Sequence, residues 1–267
     1  FISDIRAEAA ERGVPAIMVG MGSVMPEPEY TIPLDIQADT DPRTAVYVLS
    51  RTSGEGSDRT PEAGDLRLTD TEIRDILALN GRFERFLLVL NVGGVVDLSP
   101  LDEVANILLL SQLGACIGDA FTDVLLGRAY PSGKLTTTWA AWDEDDQIGD
   151  FGDPDDTHYR EGIYVGYRLY DSVGKEPLVP FGFGLGYTTF DVETRQVSLD
   201  GARVSIDVDV TNTGDYPGKE TVQVYASVPA RHLDQPLQAL AGFTKTGEIA
   251  PGATARITVD VDLTDLA

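Results

Sequence analysis

The chain has 267 residues, 42% of them hydrophobic, and its 44 acidic and 20 basic side chains give a formal net charge of −24. This length suits one large domain or two modest ones, and the apolar share is sufficient to form cores. The charge argues against nucleic acid as a partner because phosphate binding requires basic patches. No apolar run approaches the roughly 18 residues of a membrane helix, so we expect no membrane partner.

The N-terminal stretch predicts a helix, a short strand and an extended connector. Helical spacing over residues 1–12 ends at Gly13, and residues 16–19 follow as a strand. The glycines after that strand lack the third glycine and the following helix of a dinucleotide-binding loop. Because the chain begins at Phe1 rather than Met, we expect a segment of a longer polypeptide.

Strand and helix patterns then alternate up to Gly127. Thr69 and Glu72 have the spacing of a capping box, so a helix is predicted over residues 70–80. Near-continuous apolar runs are typical of strands in a parallel sheet with both faces covered. The alternation predicts a doubly wound α/β layer. The other predicted elements are strands at residues 44–49 and 86–91, a helical turn at 101–104, a buried strand at 107–110 and a helix at 118–126.

Residues 50–59 follow the strand at 44–49 and contain the best candidate for chemistry. Ligands of open α/β sheets bind at the carboxyl ends of the strands. Glycines on both sides of Glu55 would let the backbone bring its carboxylate close to a bound molecule. On these residues alone, a solvated loop acid is the alternative.

Several other residues invite a functional interpretation, and most favour a structural one. Lys134 follows a Pro-Ser-Gly run that lacks the upstream glycine of a phosphate loop. The acidic stretch at residues 141–159 does not have EF-hand spacing and predicts a solvated loop. We expect a buried Cys116, and the glycine and aromatic cluster at residues 181–187 suits either a site or packing between domains. The remaining expectations are surface positions for His158 and His232, and packing rather than sugar stacking for Trp139 and Trp142.

After residue 190, short alternating strands separated by turn residues predict an antiparallel β-sandwich. We place the domains at residues 1–192 and 193–267, and we expect the sandwich to be cut short at Ala267. The predicted strands cover residues 204–210, 221–228, 239–244 and 255–261.

Together these segments resemble glycoside hydrolase family 3. Residues 208–225 are similar to the fibronectin type III-like domain of many members. The chain departs from the family pattern at residues 113–118, where an acidic residue is usual, and at Gly186, where Ser is usual. The motifs that carry the resemblance are SGEGSDR at 53–59, LNVGGVVD at 90–97, PSGKL at 131–135, YREGIYVGYR at 159–168 and PFGFGLGYTTF at 180–190.

The resemblance implies an (α/β)6 sandwich domain followed by part of a fibronectin type III-like antiparallel β-sandwich. It implies that Glu55 is the general acid/base, while the nucleophilic Asp lies in a (β/α)8 barrel outside this chain. Ser53, Asp58 and Arg59 would bind substrate or support the loop, with an Asp58–Arg59 ion pair as one way to hold it. The motif wording favours members in which these domains precede the barrel.

The implied function is that of a retaining exo-acting β-glycosidase, most simply a β-glucosidase acting on a β-linked glucoside or related oligosaccharide. The alternatives are a β-xylosidase, a glycosidase for plant glycoside conjugates, or a non-catalytic carbohydrate-binding or scaffold pair. We expect no cofactor and no metal. A cytoplasmic location is favoured by the domain order, and an oligomer is compatible with the sequence. Without its barrel the segment should be catalytically silent.

Overall fold

The computed structural model describes residues 43–51, 59–142, 158–229 and 233–266. The chain divides into two compact units, residues 1–117 with 141–157 and residues 118–140 with 158–267. The domain boundary predicted after residue 192 falls inside the second unit and stays a prediction. The helix predicted at residues 1–12, the strand at 16–19 and most of the acidic loop lie outside the described residues.

The first unit contains a parallel sheet with the strand order β1-β2-β3. Its strands are β1 (Thr44–Ser50), β2 (Arg85–Asn91) and β3 (Ile107–Leu109). Helix α1 (Asp70–Arg82) lies between β1 and β2 in the chain, as a connection between parallel strands requires. The predicted α/β alternation is therefore confirmed for these elements, and a 3₁₀ turn at Ser99–Leu101 stands close to the predicted helical turn.

The core of this unit forms where the sheet meets α1. Leu49, Leu88 and Leu90 are buried on the sheet, and Ile76 and Leu79 are buried on the helix. Because these side chains leave water together, their burial contributes roughly 1.5–3 kcal/mol for each residue.

Strand β3 differs from its prediction as a buried strand. It has three residues, and Ile107 keeps 39% of its surface exposed. The reason is its place in the described sheet, where it pairs with β2 on one side only. An apolar run identifies a strand, but burial depends on neighbours that are distant in sequence.

The start of α1 has the predicted capping geometry. Thr69 Oγ1 accepts the Glu72 N–H at 3.1 Å, and Glu72 Oε2 accepts the Thr69 N–H at 2.9 Å. Two otherwise unpaired donors of the first turn are thus satisfied reciprocally. This cap fixes the side chain of Glu72, which also takes part in the candidate site.

Helix α2 (Ile117–Leu125) matches its prediction and ends before Gly127, whose φ of +69° suits glycine at a helix end. Cys116, in the turn before α2, is exposed, so its predicted burial is wrong. A residue in a turn before a helix need not face the core, whatever its apolar character.

Across the described ranges no helix has the length and apolar character needed to cross a membrane.

The second unit contains the antiparallel β-sandwich. One sheet has the order β4-β5-β8, formed by β4 (Phe190–Asp200), β5 (Arg203–Asn212) and β8 (Thr254–Asp262). The other pairs β6 (Thr221–Ala226) with β7 (Ala239–Lys245). The fold class is thus an α/β layer followed by an antiparallel sandwich, as predicted. Its core consists of Val208, Val210, Val222, Ile249 and Val259.

Strand β4 was not predicted, although it is the longest strand of this sheet. Val192 and Val197 both pair opposite core-facing positions of β5, yet they stand five residues apart, with a register shift between Thr194 and Gln196. An extra residue changes the phase of alternation, so the period of two is lost from the sequence. The bulge therefore removed the alternation by which this strand could have been predicted.

The glycine and aromatic segment at residues 181–187 packs against the sandwich, which is one of its two predicted roles. The Phe181 ring stacks on Tyr167 with centroids 4.6 Å apart, and Tyr167 meets Tyr225 of β6 edge to face at 5.8 Å. Gln223 Nε2 donates to the Gly182 carbonyl at 3.0 Å. Tyr167 opens the short helix α3 (Tyr167–Val173). Its packing role is therefore observed, and a role beside a site stays a prediction.

The expectations for Trp139 and His158 are met, whereas that for the Trp142 indole stays a prediction. Trp139 is 4% exposed, and its backbone pairs with Val179, so this indole is a packing residue. Trp142 is half-buried, and its backbone N–H donates to Asp97 Oδ2 at 3.0 Å, a contact that does not involve the indole. His158 is exposed, whereas His232 lies outside the described residues.

Candidate active site

The segment predicted to carry the acid follows β1 directly, at the carboxyl end of a parallel strand. Ser53, Glu55 and Asp58 lie in residues 52–58, outside the described residues, so their predicted roles stay predictions. Arg51 and Arg59, which stand immediately before and after those residues, are both described. The described part of the candidate site therefore consists of these two arginines and the residues that they contact.

The first end is held by a buried ion pair between Arg51 and Glu72. Arg51 Nη1 and Nη2 donate to the two carboxylate oxygens of Glu72 at 2.6 and 2.7 Å. The side chains are 6% and 2% exposed. A bidentate guanidinium–carboxylate pair has a fixed geometry, and burial keeps water from competing for its hydrogen bonds.

Further contacts of Arg51 fix the backbone around it. Its Nε donates to the Asp65 carbonyl at 2.8 Å, and its N–H donates to the Asn91 carbonyl of β2 at 3.3 Å. Its own carbonyl accepts Gln112 Nε2 at 3.1 Å. Side chain and backbone of Arg51 are both restrained, so the chain leaves the sheet from a defined point.

The second end is held by Arg59 and Asp65. Arg59 Nε donates to Asp65 Oδ1 at 2.6 Å, and Arg59 Nη1 donates to the Val95 carbonyl at 2.8 Å. The Thr60 N–H donates to Asp65 Oδ2 at 2.6 Å. Partial burial alone would raise the pKa of Asp65, but the hydrogen bonds from Thr60 and Arg59 together with the Arg59 charge lower it below its ordinary value. Asp65 is therefore held ionised as an acceptor for this end.

The sequence suggested Asp58 as the ion-pair partner of Arg59, and the described partner is Asp65. Across the parts of the chain that the structure describes, no acceptor lies within hydrogen-bond distance of the buried Arg59 Nη2. Such unpaired buried donors are rare in folded proteins.

The motif at residues 90–97 makes room for Arg59 and braces the turn beside it. A Cβ on Gly94 would stand 2.9 Å from Arg59 Nη1, so a larger residue would displace the guanidinium. Asp97 accepts the Ser99 N–H at 2.9 Å, and its own N–H donates to the Leu66 carbonyl at 2.8 Å. These residues support Arg59 and the adjacent turn, and none of their contacts indicates a catalytic role.

Sequence reasoning missed Arg51, Asp65 and the second role of Glu72. Glu72 was identified only as a helix cap, although its Oε2 accepts both Thr69 N–H and Arg51 Nη2. The one available signal was a basic residue directly after an apolar strand, which implies a nearby acidic partner without naming it. Among the described residues no group of three His, Cys, Asp or Glu side chains has the arrangement of a metal site.

Two models of known protein families match this chain. Residues 3–187 match the family model described as the glycosyl hydrolase family 3 C-terminal domain, and residues 220–267 match the fibronectin type III-like domain. The first match includes the candidate site, and the second includes β6 to β8.

Similar proteins of known name are considerably longer than this chain. Beta-glucosidase A of Butyrivibrio fibrisolvens is 35% identical over 90% of this chain and 34% of its own length. An exo-alpha-(1->6)-L-arabinopyranosidase of Bifidobacterium breve is 36% identical over 72% of this chain and 25% of its own length. The chain thus spans about a quarter to a third of these relatives.

A solved structure matches both sequence and fold. Beta-glucosidase 3B of Thermotoga neapolitana, solved in complex with glycerol, is 41% identical over 84% of this chain and 33% of that chain, with a TM-score of 0.77. The same protein solved with glucose gives 40% identity and the same TM-score.

Proposed function

Because the chain belongs to glycoside hydrolase family 3, we propose that it is part of a retaining exo-acting β-glycosidase, most simply a β-glucosidase. In this proposal Glu55 is the general acid/base, and a (β/α)8 barrel outside these residues supplies the nucleophilic Asp. The observation that carries the proposal is the family match over residues 3–187, which includes the segment with Glu55. The names of the Butyrivibrio and Thermotoga proteins support glucose as the sugar.

Retaining hydrolysis assigns two successive tasks to Glu55. The protonated carboxyl group first gives its proton to the leaving oxygen while the nucleophile forms the glycosyl-enzyme. The resulting carboxylate then takes a proton from the water that releases the sugar. The pKa of Glu55 has to be raised in the assembled site, by burial or by the neighbouring carboxylate, so that the group is an acid when substrate arrives.

The test compares leaving groups in the full-length protein. Glu55→Gln should lower turnover of unactivated disaccharides by about 10² to 10⁴. It should spare glycosylation by activated aryl glycosides, whose leaving groups need no proton. Azide should restore turnover of those substrates, because it attacks the glycosyl-enzyme without help from a general base. The product is then a glycosyl azide. The matched control is Glu62→Gln, an exposed glutamate in the same stretch, which should behave as wild type.

Two results would contradict the proposal. Wild-type turnover of disaccharides by Glu55→Gln would exclude Glu55 as the acid. A full-length protein that binds glycosides without hydrolysing them would favour the non-catalytic carbohydrate-binding alternative.

A second sugar is favoured by one comparison. The Bifidobacterium arabinopyranosidase is as similar to this chain as the Butyrivibrio β-glucosidase is, at 36% and 35% identity. Similarity over this segment therefore does not separate glucosides from pentopyranosides. A panel of p-nitrophenyl β-glucoside, β-xyloside and α-L-arabinopyranoside decides between them, and the highest kcat/KM on the glucoside is the expected result.

A further inference from the structure

We propose that a cleft in the second unit binds one uncharged sugar residue in its ring form. The cleft has a volume of about 210 Å³ and is lined by residues within 130–134, 184–190 and 219–220. All of these residues belong to the second unit. The chemistry of the cleft is independent of Glu55, and only the choice of glucose as the first probe rests on the proposed function.

The size of the cleft sets the size of its occupant. Pockets that hold drug-sized ligands measure about 300–1,000 Å³, and this cleft, at about 210 Å³, is smaller than that range. It can therefore hold a single six-membered ring with its hydroxyl groups, whereas a longer saccharide would extend into solvent.

The charges that line the cleft favour a neutral ligand. Lys134 Nζ lies 2.8 Å from Glu220 Oε1, and both side chains are 20% exposed. Lys134 Nζ also donates to the Gly184 carbonyl at 2.7 Å. A phosphate would be repelled by the Glu220 carboxylate, and a cation would be repelled by the ammonium groups of Lys134 and Lys219. An uncharged molecule avoids both penalties.

The polar groups of the cleft offer a ligand both donors and acceptors. Among the described residues, Glu220 is contacted through Oε1, by Lys134 Nζ and by the Thr221 N–H at 2.6 Å, so its Oε2 can accept. Lys219 is exposed and forms no ion pair with another described residue, so its ammonium group can donate. Burial is the main reason that the pKa of Tyr130 lies above its ordinary value, and its hydroxyl keeps its proton. Because sugar hydroxyl groups both donate and accept, they match this mixture.

An apolar wall completes the cleft. Leu185, which is 76% exposed, lies there together with Pro131 and Phe190. A pyranose ring has C–H groups that can cover such a wall, and covering it removes apolar surface from water. Apolar walls with a few placed polar groups are typical of small-molecule sites.

The walls of the cleft are held in place by hydrogen bonds. Lys245 Nζ donates to the Ser132 carbonyl at 2.9 Å. The Leu135 N–H donates to the Phe183 carbonyl, and the Gly182 N–H donates to the Leu135 carbonyl, both at 2.8 Å. The site is thus formed before a ligand arrives, so binding loses little free energy to the ordering of the protein.

Hydrogen–deuterium exchange in the full-length protein tests the site with glucose as the probe. A small, solvent-accessible site should bind glucose with a Kd on the order of 5 mM. Glucose at about 50 mM should therefore slow exchange of peptides covering residues 130–134 and 184–190 at least about twofold. Mannitol at the same concentration has hydroxyl groups but no ring and should leave these peptides unchanged.

Two variants remove separate parts of the site. Leu185→Ala removes most of the exposed apolar wall, and Lys219→Ala removes the ammonium donor. Each should raise the glucose concentration for half-maximal protection at least about threefold. Leu233→Ala is the matched control for the leucine, because Leu233 is also 76% exposed and lies outside the cleft. Lys175→Ala is the control for the lysine, and both controls should keep the wild-type titration.

Three results would overturn the proposal. The first is unchanged exchange of the cleft peptides in saturating glucose, and the second is wild-type protection in both Leu185→Ala and Lys219→Ala. The third is protection by mannitol equal to that by glucose, which would be a general effect of polyols on the protein. Protection by phosphate but not by glucose, at matched ionic strength, would assign the cleft to anions instead.

Failure of the cleft and failure of the proposed function can be told apart. Glu55→Gln should show the same protection of the cleft peptides by glucose as wild type, whatever its turnover. Wild-type disaccharide turnover by Glu55→Gln would therefore reject the role of Glu55 and leave the sugar site supported. Loss of the protection in Glu55→Gln would mean that the peptides respond to glucose bound at the catalytic centre, and it would overturn the proposal.

Discussion

Glu72 shows how one buried carboxylate can connect the start of a helix to the end of a strand. Its oxygens accept two guanidinium nitrogens of Arg51 and the Thr69 N–H that begins α1. A buried charge is tolerated when it is paired and its remaining lone pairs are used, and Glu72 meets both conditions. Loss of either partner would leave the other as an uncompensated buried charge, so the exit from β1 and the start of α1 depend on each other.

A second residue with a strongly altered environment is Asp209 on the outer face of the sandwich. Arg256 Nε and Arg195 Nε donate to its two oxygens at 2.6 and 2.7 Å. These hydrogen bonds, together with both positive charges, hold the pKa of Asp209 well below its ordinary value of 3.8. A carboxyl group whose pKa is lowered by folding stabilises the folded state above its unfolded pKa, and that stabilisation is lost as the pH falls below it.

The sign of this shift gives a pH-dependent prediction for Asp209→Asn. The variant should have a lower thermal midpoint than wild type near pH 6, and the difference should shrink steadily as the pH falls below about 3.8. Calorimetry of both proteins across this range measures the difference. Asp215→Asn, in the exposed turn after β5, should track wild type throughout. If the difference in thermal midpoint between Asp209→Asn and wild type stays constant with pH, the ionised form of Asp209 adds no stability.

At the scale of elements, Gly186 and Gly218 both lack a side chain where the ring of Tyr130 lies. A Cβ on Gly186 would overlap the hydroxyl and ring of Tyr130, and a Cβ on Gly218 would come within 2.7 Å of the same ring. Tyr130 therefore occupies the space that a Ser side chain would need at position 186.

Gly186→Ser should accordingly destabilise the second unit, although it restores the residue that is usual in the family. Overpacking of this kind costs about 1–3 kcal/mol, and chemical unfolding followed by tryptophan fluorescence measures it. Gly247→Ser is the matched control, because a Cβ there meets nothing within 4 Å. Equal stability of the two variants would show that Tyr130 moves aside without cost.

The sequence specified elements well where the signal was local. The capping box of Thr69 and Glu72 placed α1, and alternation placed β5 and β8. It failed where the signal depended on distant residues, since Arg51 reaches Glu72 across 21 positions. The bulge in β4 is a second kind of failure, because an inserted residue removes the periodicity that identifies a strand. Glu55 was predicted from a motif, whereas the contacts of Arg51 and Arg59 could be read only from the fold.

At the scale of the whole molecule, the net charge of −24 is the dominant electrostatic feature. Like charges repel one another more strongly in the compact state than in the extended chain, so a large net charge opposes folding. Salt at about 0.1 M screens charges beyond roughly 10 Å and relieves this repulsion. The same salt weakens exposed ion pairs such as Arg203–Asp260, whose side chains are 65% and 45% exposed. Such pairs contribute little individually, so the relief of repulsion should prevail.

We therefore expect the thermal midpoint to rise when NaCl is increased from about 10 mM to about 150 mM at neutral pH. Differential scanning fluorimetry over a salt series measures the shift. The same series near pH 4.2, the isoelectric point given by the sequence, is the control, because the net charge there is close to zero and the rise should largely disappear. A midpoint that falls with salt at neutral pH would mean that the ion pairs on the sandwich and around Arg59 outweigh the repulsion.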